Sequence, residues 1–197
     1  RTSKWRWALS GLIFGAAFYT YTPIRVMLLA PLLWSVFLLP SRSSRSQWQG
    51  AVLFLAALAL ATSPFAKFAL NHREQVLGRS AGVAVLSADD SLQSIMRTLY
   101  SQTTTVLPML IVPGRGDWNF RHNIPYRAAF DPIMASALVV GILVALRTNY
   151  RRRIIALLIW VAIALLPTVL SEEAPHFGRS SGALPVLFVF PAFGLLW

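Results

Sequence analysis

The composition of this chain excludes a water-soluble globular domain. Of its 197 residues, 56% are hydrophobic and only 13% are charged, with a mean hydropathy of +0.58, whereas soluble domains are about 45–50% apolar and about 25% charged. Intrinsic disorder is also excluded, because the side chains of 12 Phe, 7 Trp and 5 Tyr do not stay solvated in an open chain. The sequence therefore predicts an integral membrane protein.

The net charge of +11 comes from 18 Lys+Arg against 7 Asp+Glu. Many of these cations cluster at the ends of apolar runs, as boundary residues do at a membrane surface. Nucleic-acid binding is not predicted, because that function needs cations spread along one face. The chain has no Cys, which excludes disulfides and thiolate metal sites.

Six apolar runs are candidates for membrane spans. In chain order they are Trp5–Tyr19, Pro23–Leu39, Trp48–Phe68, Asp131–Leu146, Ile154–Leu170 and Gly182–Trp197. A bilayer core of about 30 Å needs about 20 helical residues, and shorter runs suit a locally thin bilayer or burial in a bundle. The prediction is an all-α integral membrane fold, a single domain over residues 1–197 with a bundle of about six transmembrane helices.

Small residues and prolines give these runs local detail. Gly11, Gly15 and Ala16 lie on one side of the first helix, which favours close packing against another helix in lipid. Pro23 falls in the first turn of the second run, where no backbone N–H is lost. Pro64 falls inside the third run and is predicted to kink it.

The charged residues predict the orientation in the membrane. Basic residues precede the first run and lie in two short connections, all on the cytoplasmic side if every run spans once: Arg1, Lys4 and Arg6; Arg42 and Arg45; Arg147, Arg151, Arg152 and Arg153. The opposite side or its edge carries every acidic residue and all three histidines, the acids being Glu74, Asp89, Asp90, Asp117, Asp131, Glu172 and Glu173. A protonatable surface is therefore expected outside the cytoplasm.

The longest outer segment covers residues 67–130. Within it, Leu92, Ile95, Met96, Leu99, Val106, Leu107 and Leu110 recur at near-helical spacing, which predicts an amphipathic helix at about 91–111. This helix is interpreted either as lying in the outer interface or as packed on the bundle without lipid contact.

Three polar motifs follow on the outer side, the first being the turn Tyr19–Arg25. Its Arg25 either snorkels from an aromatic belt or holds a phosphate at lipid-headgroup depth. The second motif is Gly116–Pro125, which is rich in polar side chains: Asp117, Asn119, Arg121, His122 and Asn123. With Trp118 beside them, such groups can bind a sugar or a phosphate, or form a structural plug.

The third motif is Ser171–Arg179, with Glu172, Glu173, His176 and Arg179. Charges at this depth are costly to desolvate unless they are paired or used. A helix starting after Pro175 would place His176 and Arg179 on one face, where both could reach one phosphate. The structural alternative is a Glu173–Arg179 salt bridge that closes the loop. His122, His176 and a carboxylate could also bind a metal, but no spacing supports this and no metal site is predicted.

With these three motifs in this order, the chain resembles the C-terminal half of bacterial polytopic glycosyltransferases of the GT-C superfamily. It is similar to the dolichyl-phosphate-mannose–protein mannosyltransferase family and to the lipid A aminoarabinose transferases. The matching stretches are Tyr19–Arg25, Gly116–Pro125 followed by Asp131 and Pro132, and Glu173–Arg179 continuing through Pro185. Because the chain starts with Arg1 and stops at Trp197 inside an apolar stretch, we expect a fragment of a longer protein.

The resemblance implies transfer of a sugar from a polyprenyl-phosphate carrier to an acceptor, outside the cytoplasm, in the bacterial inner membrane. It implies carrier-phosphate contact by Arg179 with His176, and less directly by Arg25. The sugar or acceptor site would be lined by Asp117, Asn119, Arg121, His122 and Asn123, with Glu173 orienting His176 or Arg179. The family's catalytic acid lies in its first outer loop, so the general base is expected outside this chain, in which no acid precedes Glu74.

The implied partners are membrane lipids and the lipid-linked sugar, which is a substrate; no other cofactor is expected. The alternative function is a non-catalytic transmembrane subunit that packs against other subunits of a larger membrane complex. A transporter is less consistent with the sequence, because no predicted span carries a charge at its middle.

Overall fold

The computed structural model describes residues 3–31, 33, 45–81, 84–87 and 89–196. Its helices are α1 (Lys4–Ala16), α2 (Arg45–Asn71), α3 (Arg73–Ala81), α4 (Leu92–Val106), α5 (Pro132–Arg147), α6 (Arg151–Val169), α7 (Phe177–Ser180), α8 (Leu184–Leu187) and α9 (Val189–Leu196). Four 3₁₀ segments accompany them: Ala17–Tyr19, Thr22–Leu28, Leu107–Leu110 and Ser181–Ala183. The described residues contain no β-strand, only an isolated bridge between Ala84 and Ser171, so the prediction of an all-α protein is confirmed.

Among the described residues, three helical segments are long and apolar enough to cross a membrane. They are α2, α6 and the segment Phe177–Leu196, which comprises α7, α8, α9 and the turns between them. The apolar helix α5 is shorter, with 16 residues, and α1 has 13. These lengths are compatible with an integral membrane protein, and a bundle of six spans stays a prediction. The second predicted run begins as the 3₁₀ segment Thr22–Leu28, and its residues 34–39 lie outside the described residues.

The chain forms two compact units, Arg1–Ser80 and Ala81–Trp197. In the first, α1 packs along α2 with Gly11 and Gly15 buried between them. A Cβ added at Gly11 would meet the backbone oxygen of Phe54, and one at Gly15 would meet Ala61. The close helix packing predicted from these glycines is therefore observed within this unit.

Helix α2 continues through Pro64 to Asn71. Proline lacks the N–H that would bond the carbonyl of Leu60, four residues before it. The hydroxyl of Ser63 donates to that carbonyl at 2.8 Å instead. This replacement satisfies the carbonyl and helps the helix extend beyond the predicted end at Phe68.

The second unit is built on α5 and α6, with α9 packed along α5 and α7, α8 and α4 against α6. The predicted amphipathic helix is present as α4 and the following 3₁₀ segment, with Ser91 as its N-cap. Backbone bonds from Ala129 to Met109 and from Phe130 to Leu110 return the chain to this segment. Asp131 then caps α5 through Oδ1. The loop of residues 111–128, between the 3₁₀ segment and the residues that return to it, carries the second motif.

Candidate functional site

The carboxylate of Asp117 joins the second and third polar motifs. Its side chain is 1% exposed. Oδ1 accepts from the backbone N–H of Asn119 at 2.8 Å. Oδ2 accepts from the backbone N–H of Phe177 at 2.8 Å, 60 positions along the chain, and from Nδ1 of His122 at 3.0 Å. Three donors around one buried carboxylate satisfy the requirement that buried charge be hydrogen-bonded.

The loop that presents Asp117 is a tight backbone structure. Tyr126 pairs with two consecutive residues: its carbonyl oxygen accepts from Gly116 N at 3.2 Å, and its backbone N–H donates to Asp117 O at 2.9 Å. A Cβ at Gly116 would strike the carbonyl of Arg127, so the sequence needs glycine there. Tyr126 has φ of 62°, a left-handed conformation that costs a non-glycine residue about 1 kcal/mol or more.

Two predicted site residues use their side chains to hold this loop. Asn119 Oδ1 accepts from the backbone N–H of Arg121 at 3.0 Å. Asn123 accepts from Ile124 N at 2.8 Å and donates to Arg127 O at 3.1 Å. These bonds support the structural-plug interpretation for the amides, whereas Arg121 is exposed. Lining of a sugar site by Asn119, Arg121 and Asn123 stays a prediction.

His176 lies against His122, with ring centroids 4.3 Å apart and an angle of 40° between the planes. It caps α7, because its Nδ1 accepts from the backbone N–H of Arg179 at 3.2 Å. The backbone N–H of His176 donates to Thr168 Oγ1 at 2.9 Å. Burial lowers the pKa of His176 below its usual 6.5, and the charges of Arg179 and His122 lower it further. The negative charges of Asp117 and Glu173 act in the opposite direction and offset part of this lowering of the pKa.

Arg179 forms the salt bridge that was the structural alternative for the third motif. Its Nη2 donates to Glu173 Oε2 at 2.9 Å. Its Nη1 is buried and has no hydrogen-bond partner among the described residues. The guanidinium is thus oriented at one end by Glu173, and its other end presents an unsatisfied charged N–H group, which is costly unless a ligand or water accepts from it.

Arg25 lies in the first compact unit, whereas the other predicted site residues lie in the second. Its guanidinium carbon is 4.3 Å from the centroid of the Phe65 ring, and its Nε is buried without a hydrogen-bond partner in the described part of the chain. A contact between Arg25 and the carrier phosphate stays a prediction.

Sequence reasoning missed the residues that support the site through the backbone. Thr168 is 0% exposed near the end of α6 and holds the backbone of His176. Ser171 is 2% exposed and accepts from Glu173 N at 3.2 Å. In the sequence these two residues are marked only by their hydroxyl groups at the end of an apolar run. Many helix ends without a functional site have the same pattern, so it does not identify them.

Three potential metal ligands also meet here. Asp117, His122 and His176 have ligand atoms within 4.8 Å of one another, a proximity that their sequence spacing did not reveal. Comparison of the chain with protein-family models, curated proteins and solved structures finds no match.

The lowered pKa of His176 predicts a loss of stability in acid. In the unfolded chain His176 is protonated near pH 6.5, whereas in the folded protein it is protonated only at a lower pH. The free energy of unfolding therefore falls as the pH drops through 6.5. The variant His176→Asn should lose less, since Asn can still cap α7 but does not titrate. Thermal unfolding in detergent between about pH 7.5 and about pH 5 measures the difference. Identical pH dependence in both proteins would contradict the prediction.

Proposed function

We propose that this chain belongs to an integral-membrane glycosyltransferase that moves a sugar from a polyprenyl-phosphate carrier to an acceptor on the extracytoplasmic face of the bacterial plasma membrane. The observation that carries this proposal is Arg179, whose Nη1 is buried without a hydrogen-bond partner among the described residues, beside the imidazoles of His176 and His122. This group lies at the start of a helical segment long and apolar enough to cross a membrane. If that segment crosses the bilayer with this end at the surface, the group is at the depth of the lipid phosphates.

A bound phosphate would supply an acceptor for the Arg179 nitrogen that its contacts with the described residues leave without one. Glu173 engages one nitrogen and is itself 55% exposed, whereas the Arg179 side chain is 15% exposed. An unsatisfied buried N–H group costs about 1–3 kcal/mol, and a phosphate oxygen would remove that cost with a charge-assisted bond. The same contact stabilises the negative charge that develops on the phosphate when the sugar leaves.

The second motif supplies the groups suited to a sugar. Trp118 and Phe120 are 54% and 76% exposed, and an exposed ring can stack on a sugar face or enter the membrane interface. Asp117 is buried and accepts from three donors within the protein, so in this proposal it organises the site rather than binding the sugar. His122 also reaches the third motif from this loop, because its ring lies against the ring of His176.

The experiment is binding of polyprenyl phosphate to the purified protein in nanodiscs. We expect Arg179→Gln to weaken binding by about 10-fold or more, because a hydrogen bond to a charged group contributes about 1.5–3 kcal/mol. The control Arg151→Gln removes the same charge from an exposed position at the start of α6 and should leave the affinity unchanged. Equal affinity of Arg179→Gln and the wild type would reject the phosphate site.

Two further probes identify the class of function. Polyprenol without phosphate should bind more weakly than polyprenyl phosphate, and inorganic phosphate should compete if the headgroup alone is recognised. In the full-length protein, Arg179→Ala should abolish sugar transfer while the protein stays folded. A wild-type protein that does not distinguish polyprenol from polyprenyl phosphate would instead support the non-catalytic subunit of a membrane complex.

A further inference from the structure

We infer that His122, held by Asp117, accepts the proton of the hydroxyl group that attacks the sugar. For the identity of the reaction this inference rests on the proposed function. The proton-accepting geometry itself rests on contacts in the second compact unit alone. It places a general base within this chain, where the family resemblance predicted none.

The contacts of His122 determine which of its nitrogens carries hydrogen. Nδ1 lies 3.0 Å from Oδ2 of Asp117, and a carboxylate can only accept. Nδ1 is therefore the protonated nitrogen, and Nε2 of the neutral ring has a free lone pair. The carboxylate is held from the other side by the backbone N–H groups of Asn119 and Phe177, so the imidazole is oriented by a rigid partner. This is the base-and-orienter arrangement that general base catalysis requires.

His176 has the opposite tautomer. Its Nδ1 accepts the backbone N–H of Arg179, so the proton of the neutral ring is on Nε2. The two neighbouring rings thus differ in chemistry: His176 presents an N–H donor and His122 presents an acceptor. Together with Nη1 of Arg179, the donors suit a phosphate, and the acceptor suits a hydroxyl group.

The edge of His122 that carries Nε2 faces Gly178. The His122 side chain is 26% exposed, although Asp117 beside it is buried. A Cβ added at Gly178 would lie 3.3 Å from Nε2 and Cδ2 of His122 and 3.0 Å from Cε1 of His176. A side chain at position 178 would therefore crowd this edge, and the glycine avoids that contact.

These tautomers favour a base over a metal site. A histidine that binds a metal through Nε2 normally donates its Nδ1–H to an oxygen, as His122 does. In His176, however, Nδ1 receives a proton donor, so ligation by either nitrogen would break the cap of α7 or require the other tautomer. The adjacent guanidinium of Arg179 also opposes a divalent cation.

The inferred step balances within the site. The acceptor oxygen forms a bond to the anomeric carbon as its proton passes to Nε2 of His122. The bond between the anomeric carbon and the carrier phosphate oxygen breaks, and its electron pair stays on the phosphate beside Arg179. His122 contacts Asp117 and the ring of His176, and the charges of Arg179 and Glu173 act on His176 beside it. Asp117 stabilises the imidazolium that forms, and the proton is then released to water.

The first test measures the tautomers without any activity. The chain has only three histidines, so the side-chain nitrogens of ¹⁵N-histidine-labelled protein in nanodiscs can be assigned by single substitution of each histidine. We expect His122 as the Nδ1–H tautomer and His176 as the Nε2–H tautomer at neutral pH. An Nε2–H tautomer at His122 would overturn the inference, and so would zinc binding that requires both His122 and His176.

The second test measures transfer by the full-length protein. His122→Ala should lower kcat by about 100-fold or more with the affinity for polyprenyl phosphate retained, and added imidazole should restore part of the rate. The acid limb of the wild-type rate–pH profile should disappear in this variant. A loss below about threefold, or a loss that imidazole does not reverse, would assign His122 a structural role only.

The two proposals fail in different ways. If the wild-type protein does not bind polyprenyl phosphate, the proposed function fails whatever the tautomers are. If it binds polyprenyl phosphate and transfers sugar but His122→Ala keeps its rate, only the inference about the base fails.

Discussion

Replacing Asp117 with Asn is expected to destabilise the protein by about 3 kcal/mol, although the two side chains have nearly the same shape. Both oxygens of Asp117 accept backbone N–H groups, from Asn119 on Oδ1 and from Phe177 on Oδ2. The amide of Asn must place its NH₂ against one of these donors, so a buried N–H group loses its acceptor. Each lost bond to a charged group costs about 1.5–3 kcal/mol, and the remaining buried groups cannot reach water.

The control for this substitution is Asp131→Asn. Asp131 is exposed, and the one oxygen Oδ1 accepts from both Ile133 N and Met134 N, so Asn can retain both bonds. Asn and Asp are about equally good at this N-cap position. Thermal unfolding of the two variants in the same detergent compares them. A similar midpoint for both would show that the buried carboxylate does not hold the two motifs together.

Replacing Gly141 with Ala is expected to destabilise the second unit by about 2 kcal/mol or more. Helices α5 and α9 are in backbone contact there, and a Cβ on Gly141 would meet the carbonyl oxygen of Phe190, with Phe190 C at 2.6 Å. The atoms that this Cβ would meet are backbone atoms of a residue that is 0% exposed. No flexible side chain can therefore move aside to make room. The helix propensity gained by Ala, about 1 kcal/mol, is too small to offset the separation of the helices.

The matched control is Gly182→Ala in the same unit. The nearest atom to a Cβ at Gly182 is Ala164 Cβ at 3.7 Å, which is an ordinary van der Waals contact. The free energy of unfolding of this variant should lie within about 0.5 kcal/mol of the wild-type value. Limited proteolysis and thermal unfolding in detergent measure both changes, and equal stability of the two variants would contradict the backbone contact between α5 and α9.

Local chemistry made much of the fold predictable. The start of α5 follows from Asp131 before Pro132, because an N-cap acceptor and a first-turn proline act within a few residues. The end of α2 was less predictable, since Ser63 replaces the hydrogen bond that Pro64 removes. The last run was predicted from Gly182, but helical structure begins at Phe177 and is divided into α7, α8 and α9.

The candidate site divides in a similar way. Its residue types were evident from sequence, because Asp, His and Arg in short loops between apolar runs are costly without a use or a partner. Their roles were not evident. Asp117 was expected to line the sugar site, yet its three bonds bind the second motif to the third, and one partner is a backbone N–H 60 positions away.

The sequence by itself determined the helical class and the two polar loops of the second unit, and it predicted an integral membrane protein, because hydropathy, turn residues and caps act over short distances along the chain. Only the tertiary structure decided that Oδ2 of Asp117 accepts from the backbone N–H of Phe177, and that the His122 and His176 rings lie 4.3 Å apart at an angle of 40°. It also decided that Arg179 bonds Glu173 through Nη2, while its Nη1 is buried without a hydrogen-bond partner among the described residues. The contacts between the two motifs depend on how loops distant in sequence pack together, and no pattern of residue types encodes that packing.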